Sequence, residues 1–172
     1  MIKSTVNLGI ILIFILFLSS CKKISPQLPS NKGNVEDKSS ASLLMINQNL
    51  TLKEDSIIKK FAEKDGSFKK NAIGFWYRIS KTGKGASIKD SVSCNFEYHL
   101  LLLDGKTVEK GEKQIVIGKK QLIVGLEEGL KLMQKGDSAT FIIPWYLGYG
   151  MKGYEQIVPP YTSIIYKIRM QD

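Results

Sequence analysis

The chain has 172 residues, 43% of them hydrophobic and 24% charged, with 25 Lys+Arg against 16 Asp+Glu and a formal net charge of +9. That length allows one domain plus accessories, and the composition excludes collagen, coiled coil and polytopic membrane proteins. The basic residues are spread through Lys22-Lys23, Lys59-Lys60, Lys69-Lys70 and Lys119-Lys120 rather than gathered with aromatics, which describes a solvated lysine surface and no nucleic-acid partner.

The chain opens on a leader. Lys3 supplies a short positive region and Leu8 to Leu18 an apolar run, well short of the ~20 residues a spanning helix needs. Small residues then precede Cys21. The phrase Leu18-Ser19-Ser20-Cys21 resembles the lipobox of bacterial lipoproteins. That resemblance implies a signal peptide over residues 1–20, acylation of Cys21, and a stable anchor, because several acyl chains hold where one is marginal. No aspartate follows Cys21 directly and no acidic cluster follows within the next few residues, which favours the outer membrane, facing the periplasm. With Cys21 consumed, Cys94 has no disulfide partner and is read as a small buried hydrophobe. His99 is the only histidine and lacks companions at ligand spacing, so neither a metal nor a cofactor is expected.

Residues 21–42 hold Pro26, Pro29, Gly33 and several serines with almost no apolar periodicity, a lipidated tether that reaches ~70 Å when its ~20 residues are extended. Residues 43–73 form an amino-terminal helical segment. Thr51 and Glu54 read as a capping box, Leu52, Ile57, Ile58, Phe61 and Ala62 as the apolar stripe, and Asp65-Gly66 as the stop. The stripe is expected to pack on the flank of the following domain rather than on a partner helix.

The domain proper covers residues 74–172. Strands are expected over Phe75–Ile79, Ser91–Leu103, Gln114–Ile117, Ser138–Ile143 and Ser163–Arg169, with a turn at Asp104-Gly105. A short helix over Leu122–Met133 is marked by Leu122, Leu126, Leu130 and Met133. The elements make an α+β fold, a twisted antiparallel sheet of about five strands curled around one short helix and preceded by the amino-terminal helix.

Three phrases in the last third carry a resemblance: Gly125-Leu126-Glu127-Glu128-Gly129-Leu130, Ile143-Pro144-Trp145-Tyr146-Leu147-Gly148-Tyr149-Gly150, and Val158-Pro159-Pro160. Their order and spacing resemble the FKBP-type peptidyl-prolyl cis-trans isomerases, over about Gly74 to Met170. The lipobox, tether, amino-terminal helix and altered pocket also resemble the gliding-motility-associated FKBP-like lipoproteins of gliding bacteria. The family resemblance implies an FKBP-like fold, proline-containing polypeptides as substrates and a cofactor-free mechanism. It places Tyr98 in the pocket, Leu122 and Ile123 at the opening of the short helix with the Ile123 N–H on a substrate carbonyl, and the Tyr149 hydroxyl on a second carbonyl. Tyr154 and Ile157 would lie on the flap before Pro159-Pro160, and Tyr166 would close an aromatic wall. Leu126 stands on the floor where the best-studied members carry tryptophan, Val108 where they have phenylalanine, and Glu109 where aspartate is usual. The short segment from Glu109 to Gln114 puts Lys113 near the place of another aromatic. A shallower, wetter cleft is the expected result, with macrolide binding weakened more than catalysis. The function implied is a lipid-anchored isomerase assisting envelope proteins, in a gliding-motility system where the subfamily likeness holds. The alternative is a non-catalytic chaperone or binding module of an envelope machine.

Overall fold

The computed structural model describes residues 35–172, of which Ala41–Asp172 forms one compact unit. The signal peptide, the acylated Cys21 and the tether up to residue 34 lie outside the described residues. Helix α1 runs Val35–Asp65, so it starts well before the capping box and takes in residues 35–42, which the sequence reading gave to the tether. No Gly or Pro interrupts the chain from Val35 to Asp65, and nothing else there breaks a helix. Thr51 is therefore not a cap: its hydroxyl bonds back to the Asn47 carbonyl at 2.9 Å, inside the helix. Gly66, at φ +72°, ends α1 as expected, with its N–H donating to the Ala62 carbonyl. Among the described residues no helix is long and apolar enough to cross a membrane.

The sheet has six strands, all antiparallel: β1 (Lys69–Lys70), β2 (Trp76–Lys81), β3 (Ser93–Leu102), β4 (Thr107–Val116), β5 (Ser138–Ile143) and β6 (Ile164–Met170), in the order β1-β2-β5-β6-β3-β4. Two differences from the sequence reading stand out. The two-residue β1 is additional. Strand β4 starts at Thr107 rather than Gln114, because the hairpin at Asp104-Gly105 sets the register and the ladder with β3 then carries through a run of alternating charges that shows no apolar pattern.

Two layers of apolar residues lie on opposite faces. On one, helix α2 (Val124–Leu130) brings Leu126 and Leu130 against Phe75, Phe96, Tyr98, Phe141 and Tyr166, all buried. This helix is shorter at both ends than the Leu122–Met133 span expected, since Leu122 and Ile123 precede its first turn, Ile123 in extended backbone, and the chain leaves it after Leu130. On the other face, Ile58 and Ala62 of α1 cover Leu101, Ile142 and Ile165. Polar ties hold α1 there: the Tyr146 hydroxyl donates to Asp55 at 2.7 Å, and Arg78 pairs with Asp65 at 2.7 Å.

Candidate active site

The cleft sits at the open end of the sheet over α2, with a volume of about 350 Å³. Leu126, almost wholly buried, forms its floor. Leu122 and Ile123 form one lip, set there because the backbone is extended at Ile123 (φ −64°, ψ 149°) just before α2 turns. The Ile123 N–H has no acceptor among the described residues. It is a donor at the cleft wall, close to the start of a helix where neighbouring amides also point outward.

Tyrosines make the opposite wall. Tyr149 comes from the turn after the short 3₁₀ helix Trp145–Leu147, Tyr154 from the flap and Tyr166 from β6. The Tyr149 and Tyr154 rings stack at 4.8 Å with 12° between planes, and the flap is closed by the Tyr154–Val158 bridge. The Tyr149 and Tyr166 hydroxyls are 2.7 Å apart. Two hydroxyls joined this way share one hydrogen and keep the other. With the buried Tyr166 donating, the Tyr149 O–H is free for a carbonyl in the cleft.

Tyr98 lies one layer back. Its ring meets Tyr166 at 5.9 Å and its hydroxyl donates to Glu109 Oε1 at 2.5 Å. Glu109 Oε2 is buried without a hydrogen-bond partner among the described residues. Gly111, opposite Tyr98 in the ladder, leaves room for that ring, since a Cβ there would sit 3.4 Å from the Tyr98 hydroxyl.

Burial pushes the Tyr166 hydroxyl far above the usual phenol range, with Tyr149 adding to the effect. Tyr98 is raised in the same way, by burial first and the bond to Glu109 second. Burial raises Tyr149 although its bond to Tyr166 pulls it down, and the negative charge of Glu109 raises Tyr154. All four phenols are neutral at any physiological pH. In that form they are hydrogen-bond donors.

Six of the ten residues singled out from the sequence line this cleft: Leu122, Ile123, Leu126, Tyr149, Tyr154 and Tyr166. Tyr98 and Glu109 support it from behind. Val108 and Ile157 pack against the same core without lining the cleft, and Val108 and Glu109 face a separate hollow beside His99 and Thr107 on the sheet edge. Three lining residues were not among the ten: Lys113, Lys120 and Gln121. In the sequence Lys113 stands near the place of an aromatic, and Lys120 is one of many scattered lysines. Its adjacency to Leu122-Ile123 was the available signal.

Comparisons with known proteins bear on the family and the fold. A family model for the FKBP-type peptidyl-prolyl cis-trans isomerases matches residues 83–171. A probable FKBP-type peptidyl-prolyl cis-trans isomerase of Haemophilus influenzae is 30% identical over 161 residues, covering 88% of this chain and 64% of its own length. The FKBP-type isomerase FkpA of Escherichia coli is 30% identical over 118 residues, 66% of this chain and 43% of the relative. The crystal structure of FkpA superposes with a TM-score of 0.63 at 29% identity, covering 78% of this chain and 65% of the other. The chain thus spans between two fifths and two thirds of the length of these curated relatives. With the family model lying over strands β3 to β6, the short helix and the flap, the chain belongs to the FKBP-type peptidyl-prolyl cis-trans isomerase family.

Proposed function

We propose that the chain catalyses cis–trans isomerisation of Xaa-Pro bonds. One observation carries this reading: an apolar floor at Leu126 lies between two unspent donors, the Ile123 N–H and the Tyr149–Tyr166 hydroxyl pair. Rotation about the peptide bond has a barrier of ~18–20 kcal/mol because amide resonance must be broken. The twisted amide is less polar than the planar one, so a dry floor disfavours the planar ground state relative to the transition state. Donors fixed on the flanking carbonyls hold the chain while the bond turns. A 10⁴-fold acceleration needs only ~5.5 kcal/mol, within the reach of desolvation plus one or two hydrogen bonds. No nucleophile or proton transfer enters, in keeping with four phenols that stay neutral.

The site residues are assigned accordingly. Leu122, Ile123 and Leu126 receive the proline ring, and Tyr149, Tyr154 and Tyr166 shape the aromatic wall. Tyr98 and Glu109 hold Tyr166 in place, and Val108 and Ile157 support the rim. The lipobox-like Leu18-Ser19-Ser20-Cys21 supports attachment through lipid on Cys21, on the outer membrane facing the periplasm, where unfolded envelope proteins are the clients. The likeness to the gliding-motility-associated lipoproteins supports service in such a system. Deleting the gene and scoring motility and envelope-protein maturation tests it, and unchanged colonies would end that part of the reading. Metabolic labelling with palmitate, compared with a Cys21→Ser chain, tests the anchor.

The activity test uses the full chain in nonionic detergent with a proline tetrapeptide. Parent acceleration, abolished by Ile123→Asp and reduced about three- to tenfold by Tyr149→Phe, is the expected result, the latter being the worth of one neutral hydrogen bond. A folded parent with no acceleration on any peptide would overturn it. A second reading, binding without turnover, is favoured by the aliphatic floor at Leu126 and by Lys113 near an aromatic's place. It predicts peptide binding in that same failed assay.

A further inference from the structure

We propose that the cleft selects proline segments carrying a carboxylate next to the proline, a preference that rests on the proline-binding reading above. Among the described residues, Lys113 and Lys120 are the charged residues that line the cleft. Neither forms an ion pair among the described residues.

The Lys113 side chain and the Lys120 backbone are each held in place. Lys113 projects from β4, half-buried, with its Nζ 5.0 Å from the centre of the Tyr98 ring, a cation–π contact that keeps the ammonium over the aromatic wall. Lys120 sits in left-handed backbone at φ +53°, an arrangement uncommon for a lysine. The next residue, Gln121, fixes that turn, its side-chain oxygen accepting the Val116 N–H at 2.9 Å. The carboxylates around the cleft form ion pairs with neither lysine, although the charge of Glu109 is felt by Tyr149, Tyr154 and Tyr166. Glu109 accepts from Tyr98, Glu127 accepts from the Gly118 N–H, and Glu112 and Glu155 pair with neither lysine.

Two positive groups beside an apolar floor complement one chemical class, a peptide with Glu or Asp adjacent to proline. A lysine-rich peptide would meet like charge and be turned away. Because Lys113 is half-buried and Lys120 exposed, the preference is modest and falls with salt.

The test compares isosteric peptides with blocked termini, Glu against Gln, placed directly before proline in one pair and directly after it in another. The full chain in nonionic detergent is assayed for turnover and, by NMR titration, for binding. At about 10 mM salt the Glu member of at least one pair should lead by about three- to tenfold, collapsing toward parity near 1 M salt, where the Debye length is about 3 Å. The ratio should vanish in Lys113→Gln/Lys120→Gln and persist in Lys167→Gln, on the α1 side of the sheet. A Glu/Gln ratio at or below one in the parent at low salt, or one that the double substitution leaves intact, overturns the proposal. If no peptide is isomerised, the enzyme reading fails, yet the binding ratio still decides the carboxylate preference. If none binds, both fall.

Discussion

Tyr98 and Glu109 show how a single hydrogen bond organises the site. The Tyr98 hydroxyl is the one partner of Glu109 Oε1, while Oε2 is buried and unpaired. Removing the tyrosine hydroxyl would leave a half-buried carboxylate with neither oxygen bonded. Removing the charge relieves that burden instead. Tyr98→Phe should therefore cost about 1.5–3 kcal/mol, and Glu109→Gln distinctly less. Denaturant melts of the two variants check the order, and equal losses would show that Glu109 is solvated and the bond incidental. The residue types here were legible in the sequence by likeness to a family, but their division of labour was not. Tyr98, Tyr149 and Tyr166 are all tyrosines of one aromatic cluster. Only the hydrogen-bond partners separate the supporting Tyr98 from the cleft-lining Tyr149.

At the scale of elements, the glycine spacing on α2 sets how deep the helix lies. A Cβ on Gly125 would come 2.5 Å from the Ile143 methyl, and one on Gly129 2.8 Å from the Phe141 ring. The helix backbone consequently rests directly on the Ile143 and Phe141 side chains of β5, with no side chain of its own interposed at those two positions, which lowers Leu126 onto the cleft floor. Gly129→Ala should destabilise by about 1–3 kcal/mol through overpacking despite the better helix propensity of alanine, seen as a lowered thermal midpoint. A rise in midpoint would mean that Phe141 gives way without cost. On the opposite face, Ile58→Ala opens a cavity beneath α1 and should cost about 2–5 kcal/mol if this helix is integral to the domain. A negligible loss would mark it as detachable. The Gly125–Gly129 pair was plainly visible as a motif in the chain. What it does was not, because close approach is a relation between two elements and only one of them carries the signal. The same holds for β4, whose charged run has no periodicity of its own and is a strand only because β3 lies beside it.

Across the whole molecule, strands with apolar alternation and the turns between them could be read from the sequence. The start of α1 could not, since a capping box inside a longer helix looks the same as one at its start. Of the cleft, the apolar and tyrosine residues were readable, whereas Lys120 was hidden among solvated lysines because its exposure depends on a left-handed turn. The finished fold also couples its stability to alkaline pH. Tyr98 and Tyr166 are both buried and held protonated well above the ordinary phenol range, by desolvation first. In the unfolded chain each titrates near pH 10. Above that value the unfolded state sheds protons that the folded state keeps, so stability is intact below about pH 10 and falls as pH rises toward the raised folded values. Each such tyrosine contributes a slope of about 1.4 kcal/mol per pH unit in that window. Deprotonation of surface lysines in the same range works the other way, by relieving the self-repulsion of a +9 chain. Tyr166→Phe separates the two effects, because it removes one buried phenol and no lysine. Urea melts from pH 8 to about pH 11.5 should show the parent losing stability more steeply than Tyr166→Phe, with tyrosinate absorbance appearing only as the chain unfolds. Parallel curves, or tyrosinate absorbance in the folded parent near pH 10 from as many tyrosines as the chain holds, would mean the phenol wall is open to water and the cleft floor is not dry.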